Sequence, residues 1–168
     1  MYESVAPKDP LTQGDIIDGC PIFGLDHDEP LVSLEFPPTR WTARVIVLTQ
    51  ACDLAQAKTR RVLIALVHGA QDLVDRSILK VAVIRDQVRR GVVYGWYFLP
   101  AAPAPVILPE SIVDLRDLHT VSRSVLELLI ANGKRICRVN TPYREHLAQH
   151  FAVTYSRIGL PEPYSTQA

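Results

Sequence analysis

The chain reads as an α+β fold: a small, strongly bent antiparallel β-barrel or sheet with an inserted amphipathic helix at about residues 71–90 and a C-terminal helix over 141–160. Three observations predict this class. Val45–Thr49 and Val62–Val67 are apolar, mostly β-branched runs joined by a connection that ends in the charged Lys58-Thr-Arg-Arg61, as expected of neighbouring strands covered on both faces. Between Asp72 and Arg90 the apolar period lengthens, with Val74, Ile78, Val81, Ile84 and Val88 three or four residues apart on one helical face. After Thr141-Pro142, Leu147, Phe151, Tyr155 and Ile158 repeat that stripe, with Thr141 placed as N-cap and Pro142 at the first helical position.

In chain order, Met1 to Pro10 reads as a loose lead-in because Pro7 and Pro10 oppose regular structure. Gln13-Gly-Asp-Ile-Ile17 is a short strand, closed by a turn at Asp18-Gly-Cys-Pro21. Leu31–Phe36 is a strand candidate that Pro37-Pro38 stops. Gly91 ends the inserted helix, and Arg85, Arg89 and Arg90 favour the negative end of its dipole. Val92–Leu99 is β-branched and aromatic, hence a strand, with Gly95 marking a bulge. The Ala/Pro run 100–105 is an extended connector. Ser111–Arg116 and Leu118–Ser122 are a strand and its bend; Ser122–Ala131 is a short helix, Lys134–Val139 a strand, and residues 161–168 a frayed tail.

Length and composition bound the function classes. A chain of 168 residues, 48% hydrophobic and 21% charged, fits a single domain spanning 1–168 with a substantial core. No run approaches a membrane span and Met1-Tyr-Glu-Ser lacks the character of a signal peptide, so a cytoplasmic protein is expected. Cys20, Cys52 and Cys137 stand far apart without a CxxC pair, which argues for reduced thiols and against a zinc site; no metal or cofactor is implied. The net charge of zero hides an asymmetry: residues 1–35 carry one basic residue against eight acidic ones, leaving the body basic.

Several stretches resemble the MazF/PemK growth-inhibitor toxins. Gln13-Gly-Asp-Ile-Ile17 is similar to that family's opening strand, Arg44-Val-Ile-Val-Leu-Thr49 to its Arg-Pro-x-Val-Val-Ile-Ser strand, and Val62–Val67 to the strand that follows. Val113–Ser122 resembles the family's Asp-Gln-x-Arg-Thr-Val segment. The resemblance spans about Gln13 to Ile130, with a large insertion at 70–90. It implies an SH3-like barrel, endoribonuclease activity, RNA as ligand, a cognate antitoxin or regulatory protein as partner, and a homodimer. The alignment puts Ala43, with Arg44 one position off, where the family has its catalytic arginine, and His68 where it has Ser or Thr. A one-residue slip turns a side chain to the other face of a strand.

The candidate catalytic residues are therefore Arg44 for a phosphate, His68 as a base near neutral pH, and Cys52 with Asp53 as a thiol that His68 would activate. The plainer account makes Cys52 a small buried hydrophobe, Asp53 a turn residue or helix cap, and His68 a satisfied polar residue. Lys58, Arg60, Arg61, Arg85 and Arg89 are candidate nucleic-acid contacts, with Trp41, Tyr94, Trp96 and Tyr97 as stacking platforms if exposed. His146 and His150, at i and i+4, lack the Glu of an HExxH motif and are expected to face solvent. A non-catalytic binding or regulatory module and a Cys52-dependent hydrolase are the alternatives to a nucleic-acid-binding toxin.

Overall fold

The computed structural model describes residues 1–24 and 38–156. Seven strands form one antiparallel sheet: β1 (Tyr2–Glu3), β2 (Asp15–Gly24), β3 (Thr39–Val47), β4 (Arg61–Gly69), β5 (Trp96–Leu99), β6 (Ser111–Ser122) and β7 (Arg135–Val139), in the order β1-β7-β2-β3-β4-β6-β5. Its edge strands, β1 and β5, do not pair with each other, so the ladder is open rather than closed into a barrel. Helices α1 (Ala51–Ala55), α2 (Ala70–Asp75), α3 (Val81–Val83, continuing as a π-helical turn over Ile84–Val88), α4 (Arg123–Ala131) and α5 (Tyr143–Tyr155) complete the α+β fold. No helix among the described residues is long and apolar enough to cross a membrane.

The apolar runs form strands because both of their faces are buried. Ile46, Leu48, Ala65 and Val67 point into one core with Tyr97, Val113 and Leu147, while Val45, Val47, Ile64 and Leu66 point into another with Leu54, Leu126 and Ile130. Each such side chain contributes about 1.5–3 kcal/mol on burial. The second core sits under α1 and α4, so Leu126 and Ile130 give α4 its buried face.

Several segments depart from the sequence reading. Residues 1–10 are not a loose lead-in: β1 pairs with β7, and Tyr2 donates its hydroxyl to Pro100 O at 2.7 Å. The chain does not turn at Asp18–Pro21 but continues through a bulge in β2 between Ile17 and Cys20, where Gly19 has a φ of 68°. The inserted helix is broken. Ser77 takes the left-handed position (φ 57°) that glycine commonly fills, Ser77 N donates to Val74 O and Ile78 N to Leu73 O, and this Schellman cap ends α2. Ile78 and Val81 consequently face solvent while Leu73, Ile84 and Val88 are buried.

Strand β5 begins only at Trp96, because Gly95 (φ 85°) lies against Arg116; a Cβ there would come within 2.7 Å of Arg116 Cγ. Ser111–Ser122 is one long bulged strand. Helix α5 starts at Tyr143, with Pro142 in the capping position rather than Thr141. The candidate strand Leu31–Phe36, Ile158 and the 161–168 tail lie outside the described residues.

Candidate functional site

Two bulges open a fork between the central strands. β3 and β4 pair only through Val45↔Leu66, Ile46↔Ala65 and Val47↔Ile64. Thr39–Ala43 continue alone with β2, and Val67–Gly69 alone with β6. On the β2 side the bulge sets Asp18 and Gly19 opposite Arg44; on the β6 side the register jumps between Leu118 and Asp114. Between the parted strands lies a cleft of about 510 Å³, lined by Asp18, Trp41, Arg44 and His68, with Asp72 from α2 and Arg76 at its C-cap.

Arg44 enters from β3 and is held by Asp18 through two bonds, Nε to Oδ1 at 2.8 Å and Nη2 to Oδ2 at 3.1 Å, which leaves Nη1 without a hydrogen bond to a described residue. His68 enters from the end of β4 and is half-buried. Burial holds its imidazole below the ordinary value; Asp114 pulls the other way and the Arg76 guanidinium reinforces the depression. A neutral ring at pH 7 follows, with a nitrogen lone pair able to accept a proton. Its nitrogens make no hydrogen bond to a described residue. Arg76 is exposed and carries no ion pair to a described residue. The cleft thus combines a neutral base with two guanidiniums and two carboxylates, one of which, Asp18, is tied to Arg44.

Of the predicted catalytic set, the structure brings Arg44 and His68 to one cleft and leaves Cys52 and Asp53 elsewhere. Because β3 and β4 run antiparallel, the end of β3 lies beside the start of β4: Leu48 N and Thr49 N both donate to Leu63 O. His68 stands five residues farther along β4, on the order of 17 Å away at about 3.4 Å per residue. Cys52 is not at a strand end but in α1. It is exposed rather than buried, with its thiol 3.6 Å from Gln50 Oε1 and 3.9 Å from Asp53 Oδ1.

Among the predicted basic contacts, Arg60, Arg61 and the pair Arg85 and Arg89 line different clefts. Arg61 donates to Thr120 Oγ1 and to Thr120 O across β4 and β6, and Arg60 lines a shallow cleft beside α4. Lys58 is exposed in the preceding loop. Arg85 is paired with Asp86, and Arg89 stacks over Phe98 with its guanidinium carbon 5.2 Å from the ring centroid. Trp96 and Tyr97 are buried and cannot stack on a ligand, whereas Tyr94 is exposed and Trp41 half-buried at the fork. His150 is buried rather than solvent-facing, and Cys20 and Cys137 are buried in different cores.

Asp18, Asp72 and Arg76 were not legible as site residues. Asp18 read as part of a turn. Asp72 and Arg76 read as part of a long helix, although their i, i+4 spacing places them on one face of it. Comparison with protein-family models and with curated proteins finds no match.

Proposed function

We propose that this chain is a toxin-like protein on an open antiparallel sheet that binds RNA in the β3–β4 fork and cleaves it with His68 as general base. The observation that carries the reading is the convergence of Arg44 and His68, from different strands, on one cleft. In this reading a phosphodiester lies against Arg44 Nη1 and Arg76. His68 removes the proton of the neighbouring ribose 2′-hydroxyl, the 2′-oxygen attacks phosphorus, and the P–O5′ bond breaks. The departing 5′-oxygen takes a proton from solvent, which leaves a 2′,3′-cyclic phosphate. The two guanidiniums offset the charge that grows on the phosphorane oxygens. A regulatory protein of antitoxin type would act by covering this fork, and a homodimer by covering an edge strand.

The test uses an oligoribonucleotide and its 2′-O-methyl counterpart, with product ends read by mass spectrometry. Cyclic phosphate should form only from the first, and His68→Ala should lower the rate by roughly 10²–10⁴ while Cys52→Ala leaves it unchanged. Cleavage of the 2′-O-methyl strand, or full activity in His68→Ala, refutes the mechanism. The bidentate Asp18 contact favours a second reading, in which Arg44 is a structural tether and the fork binds without cleaving. That reading gains if RNA binds with a steep salt dependence and is never cut.

A further inference from the structure

A second cleft lies between β5, the turn Arg89–Gly91 and the start of α5, and shares no lining residue with the fork. Its volume is about 240 Å³, and no carboxylate among the described residues lines it. For a chain with zero net charge, an acid-free concavity that gathers cations is a departure from the rest of the surface.

Arg90 makes no hydrogen bond or ion pair to a described residue. Arg89 rests on the face of Phe98, a contact that uses its π surface and spares its N–H groups. His146 has its Nδ1 3.1 Å from the Tyr97 hydroxyl, which also lies 3.4 Å from Tyr143 O. Burial pushes the Tyr97 phenol up to about 12, so at neutral pH the hydroxyl keeps its proton and can donate it to His146 Nδ1, which places the ring N–H on Nε2. His146, Arg89 and Arg90 line the same cleft, with the exposed Tyr143 ring at the rim.

We propose that this cleft binds a phosphate monoester of an aromatic nucleoside: Arg89, Arg90 and His146 hold the phosphoryl group, and Tyr143 covers the base. Guanidinium and imidazole N–H donors suit phosphoryl oxygens. The volume exceeds what a phosphoryl group alone requires, which leaves room for part of the attached nucleoside. This site is independent of the fork and does not rest on nuclease activity.

Calorimetric titration of the full chain with adenosine monophosphate, inorganic phosphate and adenosine tests it. The monophosphate should bind, inorganic phosphate more weakly, and adenosine not measurably. Arg90→Gln should weaken the monophosphate tenfold or more, and so should His146→Gln, while His68→Ala in the fork leaves the affinity unchanged. Circular dichroism checks that the variants fold; Arg90 is exposed, so its replacement leaves the core intact. Equal binding of adenosine and the monophosphate overturns the proposal, as does an Arg90→Gln affinity equal to wild type. A loss with His68→Ala places the anion in the fork and equally overturns it, and so does the absence of binding by any ligand at millimolar concentration.

Discussion

Asp15 is the residue whose loss the fold should tolerate least. Its carboxylate is fully buried and accepts from Arg138 Nε at 2.6 Å, Arg135 Nη1 at 3.0 Å, Thr12 N at 3.1 Å and Arg138 Nη2 at 3.2 Å. Arg135 is almost as buried, with 3% of its side chain exposed, so water cannot replace the lost partner. Asp15→Ala leaves two desolvated guanidiniums facing each other, and removing one member of a buried ion pair costs about 3–5 kcal/mol. For a chain of this size each kcal/mol lowers the melting temperature by roughly 2–4 °C, so a fall of about 6–20 °C is expected. Urea denaturation gives the free energy and a thermal scan the temperature. A cost below about 1 kcal/mol, the range of solvent-screened pairs, refutes the reasoning. The same arginines also donate to backbone carbonyls of residues 6–10: Arg135 to Asp9 O and Arg138 to Pro10 O, each at 2.9 Å. Replacing Asp15, Arg135 and Arg138 together by apolar residues should therefore restore much of the lost stability, because no buried charge remains, yet leave residues 1–10 open to proteolysis. Equal protease resistance in that variant means the tether lies elsewhere, in β1 pairing.

Two further outcomes follow from burial. Of the three thiols, only Cys52 is exposed, while burial pushes Cys20 up to about 11 and Cys137 to about 12; a chromogenic disulfide should consume one equivalent from the native chain and three after denaturation, and a second fast native thiol contradicts the packing of β2 or β7. His68 and His150 are both held below the ordinary imidazole value, chiefly by burial, so below roughly pH 6.5 the unfolded chain binds protons that the folded chain refuses. Stability should fall as pH drops through that window and the loss should level off below the folded-state values; His150→Asn should flatten the slope of urea midpoint against pH, and coincident slopes sink the assignment.

How far the sequence is legible depends on whether a segment is defined locally. The strands of the two cores were readable because burial on both faces writes a continuous apolar run, and α4 because Leu126 and Ile130 mark a short stripe beside Ser122. The broken helix was not readable: Val74 through Val88 keeps a helical period across the break, and a serine, not a glycine, occupies the left-handed turn at residue 77. The tether of residues 1–10 depends on arginines more than 120 residues away, which no local pattern carries.

The candidate site shows the same division more sharply, because two residues can each be placed on the right strand and still be assigned to the wrong neighbour. Reading Val45–Thr49 and Val62–Val67 as adjacent strands was enough to put Cys52 and His68 each at a strand end, and two ends of adjacent strands invite the inference that they meet. Strand direction decides otherwise. A parallel pair would have brought both ends together; the antiparallel pair sets Thr49 beside Leu63 and sends His68 to the far end, where it shares a cleft with Arg44 instead. The connection from residue 50 to residue 60 is too short for the crossover that a parallel pair needs, so direction was in principle deducible from loop length. The fork itself was not, since it requires the Asp18-Gly19 bulge to hold β3 away from β4 beyond Val45. Shortening that bulge by deleting Gly19 should extend the β3–β4 ladder, close the fork and abolish RNA binding there. If binding survives with an extended ladder seen by amide exchange, the RNA contacts lie outside the fork.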